Sequence, residues 1–287
     1  MTGSAIHTFM LPVRDVGRGG NVLAHAAVVA RQFGSRVRII HCHPRPDDLM
    51  PYGVVIPKIL RKQIEEAARA NADTTADQLI AEFKSRAADL GLAEESHAAG
   101  KATARFIEYE GKQVDAVRHF GRLADLICVS QPDRESNLGA NTLKTALFSS
   151  GRPVMMCPHA DTVEEGFCRH VAIGWNGSLE ASRAAALAMP LIEAADKVTI
   201  LTTGDTEHSA TADEFRRYLE LRTVDSEIRE FKGRGNVGDK LLGESTASGA
   251  GLLIMGAYHE SYERETVFGG NSQTVVDRAE MPIVLVH

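Results

Sequence analysis

The chain has 287 residues, 44% hydrophobic and 24% charged, with a formal net charge of −6, which is the composition of a soluble globular protein long enough for two domains. Basic residues are scattered among acids, as in RKQIEEAARANAD, and this excludes a binder of nucleic-acid backbones, which gathers Lys and Arg on one face. No run approaches the roughly 20 apolar residues that span a bilayer, and the opening MTGSAIHTFMLPVRDVGRGG lacks a basic segment followed by an apolar run, so neither a membrane span nor a secretory signal is expected.

In chain order, a strand FMLPVRD (9–15) leads into the Ala-rich helical pattern NVLAHAAVVARQFG and a second strand RVRIIH (36–41). The adjoining HCHP places His41 and His43 on one side of the strand and Cys42 on the other. That is poor ligand geometry, so a strand end is expected there and no metal site. The following PRPDD…ADLG stretch begins as a Pro-rich loop and becomes a long amphipathic helix, on the spacing of Ile59, Ile64, Ala67, Ala68, Leu79, Ile80, Phe83 and Leu90. The strand ADLICVS (124–130), a helix start at GANT (139–142) and the strand GRPVMMCP (151–158) complete the first half.

A polar linker, HADTVEEGFCR, precedes the strand HVAIGWN, the helical LEASRAAALAMPLIEAA and the strand KVTILT (197–202). Then come the run EIREF, the helix DKLLGESTA, the strand GLLIMG (251–256), a helix NSQTVVDRA and the strand EMPIVLVH (280–287). Apolar runs such as VTIL and PIVLV lack polar alternation, which suits strands buried on both faces of a mostly parallel sheet. The order strand, helix, strand, helix, strand, helix, strand makes each half a doubly wound α/β unit. The four cysteines, Cys42, Cys128, Cys157 and Cys168, show no CxxC spacing, and three sit in strand-like runs; buried thiols in a reducing compartment, the cytoplasm, are expected.

The halves repeat one another. Setting RVRIIH over KVTILT and reading back without a gap brings Asp15 onto Asn176; later, ADLICVS matches GLLIMG, GRPVMMCP matches EMPIVLVH, and GANT matches GGNS (269–272). A duplication with domains at 1–160 and 167–287 follows, related by a pseudo-twofold that brings the closing strands PVMMC and PIVLV together and covers both edges. Ligands of such sheets bind beyond the strand carboxyl ends at the switch point, where Asn176, Thr203 and Gly256 are expected.

Two glycine-rich stretches could hold a phosphate there. GRGNVG (233–238) is a literal G-x-G-x-x-G, but it lies mid-domain and the next strand ends at Met255-Gly256-Ala257 with no acid for a ribose, so a strand-to-helix turn is the expected reading and a dinucleotide site the minor one. MGAYHESYERETVFGGNSQT (255–274) is the stronger case. Gly256 would let a ligand approach without a Cβ in the way. Gly269 and Gly270 precede a helix with Asn271 or Ser272 as candidate cap, and amides at a helix start attract anions. A side chain at Gly269 or Gly270 is expected to block those amides.

The pattern G-x-x-G, nine residues, G-[ST], a helix and a PVLVV-like strand resembles the nucleotide-binding signature of the universal stress protein family. Here it reads Gly256-Ala-Tyr-His259, nine residues, then Gly269-Gly270-Asn271-Ser272, closing on MPIVLVH, and the resemblance spans both halves. It implies a tandem universal stress protein with an adenine-nucleotide α-hydrolase-like, Rossmann-like fold, binding ATP, with Mg²⁺ as an optional companion. Carried over by position, Gly174, Trp175 and Asn176 would border adenine and ribose, with Thr203 lending backbone to the base. Met255 and Gly256 would flank the ribose and α-phosphate, and Gly269, Gly270, Asn271 and Ser272 would wrap the outer phosphates. Three positions depart from the family pattern: His259 replaces a glycine, Gly270 a Ser or Thr, and Asn176 an Asp. A protonated His259 could pair with phosphate.

The first half departs further. Its counterpart SQPDRESNLGANT begins with Ser130, carries Asp133 at the second glycine and is four residues shorter; a carboxylate there repels phosphate, so that half is expected to be mainly structural. No catalytic constellation is evident, and any ATPase activity should be slow. The resulting expectation is a cytoplasmic, stress-associated, regulatory ATP-binding protein with protein partners still to be identified, compatible with a homodimer of tandem chains. The competing expectation is a nucleotide-free scaffold for dimerisation and partner binding.

Overall fold

The computed structural model describes residues 5–13, 19–43, 45, 57, 59, 62, 77–94, 100–133, 138–160, 162–204, 209–257 and 270–287. The first half runs β1 (Thr8–Val13), α1 (Gly20–Phe33), β2 (Arg36–His43), a helix α2 over 77–89, β3 (Ala93–Glu94), β4 (Thr103–Glu110), α3 (Gln113–Gly121), β5 (Leu126–Ser130), α4 (Ala140–Ser150) and β6 (Val154–Cys157). The second runs β7 (His170–Gly174), α5 (Leu179–Leu187), α6 (Met189–Glu193), β8 (Lys197–Thr202), α7 (Ala212–Glu220), β9 (Glu227–Glu230), α8 (Val237–Ser248), β10 (Leu252–Gly256), α9 (Gly270–Arg278) and β11 (Ile283–Val286). Each half therefore has one strand–helix unit more than the sequence pattern suggests. Besides the two-residue β3, the additional strand of the first half is β4, and in the second half the run EIREF forms β9; the residues of both are mostly half-exposed or exposed. They lie at or next to the sheet edges, so they have no continuous apolar run to betray them.

All eleven strands form one sheet in the order β3-β4-β2-β1-β5-β6-β11-β10-β7-β8-β9. Leaving β3 aside, each half has its third, second, first, fourth and fifth strands in that order, all parallel, with a switch point between first and fourth. The central pair β6–β11 is antiparallel, with Met156 opposite Ile283, Met155 opposite Val284 and Val154 opposite Leu285. In the repeat, Val154, Met155 and Met156 correspond to Ile283, Val284 and Leu285. Met155 and Val284 are thus each other's counterparts, and the pseudo-twofold passes between them. This is the isologous pairing of a symmetric dimer within one chain, and it leaves neither closing strand with a bare edge.

The gap-free match of the opening strands does not survive the sheet register. Arg36 pairs with Thr8 while its counterpart Lys197 pairs with His170; Leu126 pairs with Phe9 while Leu252 pairs with Val171. Both neighbours make Phe9 the equivalent of Val171, and both side chains enter the same core layer. The match is therefore one residue out before the first helix, and counted along the chain Asp15 falls one residue past Asn176.

Strand alternation divides the core into two layers, each continuous across both halves. Phe9, Leu11, Cys128, Met155, Ile173, Ile254 and Val284 face the layer that includes α1, α2, α5 and α7, whereas Met10, Ile127, Val154, Leu253 and Ile283 face that of α3, α4, α8 and α9. In α2, Leu79 and Phe83 are buried as their spacing predicts, but Ile59 is 77% exposed and lies off any buried face; Ile64, Ala67 and Ala68 lie outside the described residues. All four cysteines are buried and unbridged, and burial pushes the Cys128, Cys157 and Cys168 thiols up, which keeps them uncharged. His41 and His43 share one side of β2, their rings 6.1 Å apart.

Candidate functional site

At the carboxyl ends of the second half's strands, a cleft of about 280 Å³ opens at the β7/β10 switch point. Its floor is buried, formed by Trp175, Leu201, Leu241, Met255 and Val275, and its rim carries the exposed Asn176, Thr203, Gly270 and Asn271. Gly174, Trp175, Asn176, Thr203, Met255, Gly256, Gly270, Asn271 and Ser272 all line this one cleft. The other two residues singled out in the sequence, His259 and Gly269, lie outside the described residues.

Three helices direct their first turns at the cleft, and two are capped by their own sequence. In the turn after β7, the Ser178 amide donates to Asn176 Oδ1 (3.1 Å) and the Ala181 amide to Ser178 Oγ (3.2 Å). This starts α5 and commits one acceptor of Asn176 to the turn. At α8, Asn236 Oδ1 accepts from the Asp239 amide (3.2 Å). GRGNVG is therefore the β9-to-α8 turn, closed by Lys240 Nζ, which donates to the carbonyls of Lys232 (2.8 Å) and Arg234. The stretch still contributes Val237 and Gly238 to the cleft wall. Helix α9 begins at Gly270, so Asn271 and Ser272 lie within its first turn rather than at its cap. The first amides of a helix have no carbonyl partner of their own within it.

Two glycines that look alike in sequence differ in surroundings. A Cβ on Gly256 would lie 2.5 Å from the Glu180 carbonyl carbon and 2.6 Å from the Ala181 nitrogen. The missing side chain there lets α5 dock on the end of β10, a packing role that stands beside its place in the cleft lining. A Cβ on Gly270 meets nothing within 4 Å; it would stand at the rim of the cleft. Helices α8 and α9 also approach closely, since a Cβ on Gly238 would lie 2.5 Å from the Asn271 carbonyl oxygen. Asn236 Nδ2 donating to Thr274 Oγ1 (2.9 Å) and the Arg278–Asp239 ion pair (2.9 Å) latch them together.

Trp175 is tied to the core rather than loose in the cleft. Its ring stacks on Phe215 at 3.9 Å between centroids and 4° between planes, and its Nε1 donates to the Ala210 carbonyl at 2.9 Å. Phe231, Leu241, Ser178, Glu180 and Ala181 also line the cleft and escaped the sequence reading. The helix-start pattern at Ser178 was the signal available for the last three. Phe231 gave none, because it follows a short edge strand.

The first half carries a smaller pocket of about 200 Å³ at its strand ends, lined by Arg45, Tyr109, Gly111, Lys112 and Asp115. Its loop after β5 folds back, the Asp133 amide donating to the Leu138 carbonyl at 3.0 Å in an antiparallel bridge. Among the described residues there is no group of three His, Cys, Asp or Glu side chains able to hold a metal ion, and no helix long and apolar enough to cross a membrane.

No protein-family model matches the sequence, and no curated protein does; solved structures do. A universal stress protein from Archaeoglobus fulgidus DSM 4304 superposes with a TM-score of 0.70 at 16% identity, covering 97% of this chain and 95% of its own. A putative universal stress protein from Pseudomonas aeruginosa UCBPP-PA14 gives 0.57 at 13% identity, with 98% and 93% covered. A functionally unknown protein from P. aeruginosa PAO1 gives 0.55 at 12%, with 98% and 92% covered. Matches that run the length of both chains, together with the repeated strand order and the central antiparallel pair, make this the tandem universal stress protein fold, two doubly wound units in one polypeptide.

Proposed function

We propose that the chain is a tandem universal stress protein that binds an adenine nucleotide, ATP, in the cleft of its C-terminal half. The observation that carries this reading is convergence: residues from the turns after β7 and β8, from the carboxyl end of β10 and from the first turn of α9, far apart in sequence, line one cleft at the switch point. Its volume of about 280 Å³ stands at the lower end of small-molecule sites, suiting a nucleoside with its phosphates extending outward. The base lies toward Thr203 and Phe231, the ribose beside Asn176 and Met255, and the phosphates over the start of α9, where backbone amides and the positive helix end favour an anion. Mg²⁺ accompanies the phosphates as an option. We read the role as regulatory and cytoplasmic, with nucleotide occupancy as the signal to a protein partner, and with ATP turnover slow at most. The bridge between Asp133 and Leu138 in the first half supports one site per chain.

A second reading, a nucleotide-free scaffold, draws on one observation: the side-chain oxygen of Asn176 already accepts from Ser178. Trp175 is the one tryptophan in the chain and lines the cleft, so its fluorescence separates the two readings. Titration with ATP, ADP or AMP should change it saturably, and GTP should act more weakly. A flat response to all of them, with no nucleotide released from the denatured protein, rejects nucleotide binding and favours the scaffold.

A further inference from the structure

The repeat is symmetric in its backbone but not in its side chains just after β5 and β10. The Gln131 amide donates to the Cys157 carbonyl (2.8 Å), and the amide of its counterpart Ala257 donates to the Val286 carbonyl (2.7 Å). The side chains then part ways. Gln131 Nε2 crosses the pseudo-twofold and donates to the carbonyls of Val276 (2.8 Å) and Ala279 (3.2 Å) at the end of α9. Ala257 has no donor to return, and around the reciprocal position the His287 ring instead meets Phe148 of α4 edge-on at 4.6 Å. Among the described residues Gln131 is the side chain that reaches across in this way, and the helix it holds is the one whose first turn lines the cleft.

We propose that Gln131 is a positioning residue for the cleft: the first half's vestigial loop braces the carboxyl end of α9 and thereby fixes the amides at its other end. The last carbonyls of a helix lack partners within it, and a side-chain donor from a fixed strand end both satisfies and anchors them. Helix α9 has nine residues, Gly270–Arg278, so it transmits displacement from one end to the other with little bending. Asn236 and Asp239 hold it from α8 on one side, and Gln131 holds it from the other half. The consequence for ligand affinity rests on the nucleotide reading given above; the bracing of α9 does not.

The test compares the full chain with Gln131→Leu, which removes the donor at similar size, and Gln131→Lys, which keeps a donor and suits a helix carboxyl end. Hydrogen exchange is measured without nucleotide across 270–279 and, as an internal control, 140–150. Gln131→Leu should speed exchange in α9 about tenfold while leaving α4 unchanged, and Gln131→Lys should restore most of the protection. ATP affinity, read from Trp175, should fall about three- to tenfold in Gln131→Leu and recover in Gln131→Lys. Unchanged exchange in α9, or equal acceleration in α4, overturns the brace. A wild-type chain that ignores ATP overturns the nucleotide reading, and the exchange comparison still decides the brace.

Discussion

Replacing Gly256 and Gly270 separates a cleft-lining glycine that packing requires from one that stands in open space at the rim of the same cleft. In Gly256→Ala the new Cβ would sit 2.5 Å from the Glu180 carbonyl carbon, where ordinary contact starts at 3.4 Å. The shortfall of roughly 0.9 Å falls on helix backbone, not on a side-chain tip that could swing aside. Overpacking of this kind costs about 1–3 kcal/mol, and α5 must move, taking Ser178 and Ala181 of the cleft wall with it. Gly270→Val meets open space, and in a first helical turn Val is about as favourable as Gly or better by roughly 0.5 kcal/mol. Its branched side chain stands over the amides of α9. Urea unfolding followed by circular dichroism, with Trp175 fluorescence during ATP titration, reads both effects. Gly256→Ala should lower the unfolding free energy, measured without ATP, by about 1–3 kcal/mol with an unchanged slope. Gly270→Val should unfold like the wild type and lose its response to ATP. A Gly256→Ala protein as stable as the wild type would refute the packing argument, and a Gly270→Val protein that binds ATP normally would refute the placement of the phosphates.

Trp175→Phe should cost about 1–2 kcal/mol, because the Ala210 carbonyl loses the indole donor; a urea midpoint equal to wild type would show that water replaces it. A fragment carrying 167–287 exposes the edge of β11, which the full chain covers with β6, so it should elute as a dimer or larger species in size-exclusion chromatography, and a stable monomer would contradict this. Acid should weaken the fold from about pH 6.5 downward. Burial holds the His25 imidazole below its ordinary range against the opposing pull of the Asn21 carbonyl, and burial with Lys197 does the same to His170. For a lowered histidine pKa the unfolded chain takes up the proton first, so stability is complete above the unfolded pKa and declines as pH falls toward the folded one. His25→Gln should flatten stability between pH 7 and 5, and an unaltered slope would mean that His25 does not titrate with unfolding.

The apolar runs VTIL, LLIM and PIVLV announce strands buried on both faces, because a central parallel strand leaves no side chain in water. The repeat and the meeting of the two closing strands were likewise readable, since each half ends on a strand whose edge needs a partner. Nine of the eleven residues that the family resemblance assigns to the site line one cleft; of these, Asn176, Thr203 and Gly256 were also readable as strand ends, which are encoded locally by the residues that form them. TARFIEYE, next to one sheet edge, gives no strand signal and EIRE, at the other edge, only a short run, because both are half in solvent and lack the burial pattern. The one-residue offset between the opening strands also needed the sheet, since hydrogen-bond register is set by neighbours and not by similarity along the chain. The same holds for the roles of individual side chains. Whether a glycine at a strand end makes room for a ligand or for another helix depends on which backbone lies beyond its Cβ, and α5, packed 2.5 Å from that point at Gly256, comes from a segment some seventy-five residues earlier. Gln131 reaching α9 across the pseudo-twofold is decided in the same way: sequence specifies a donor after a strand, and only the packed sheet supplies the carbonyls it meets.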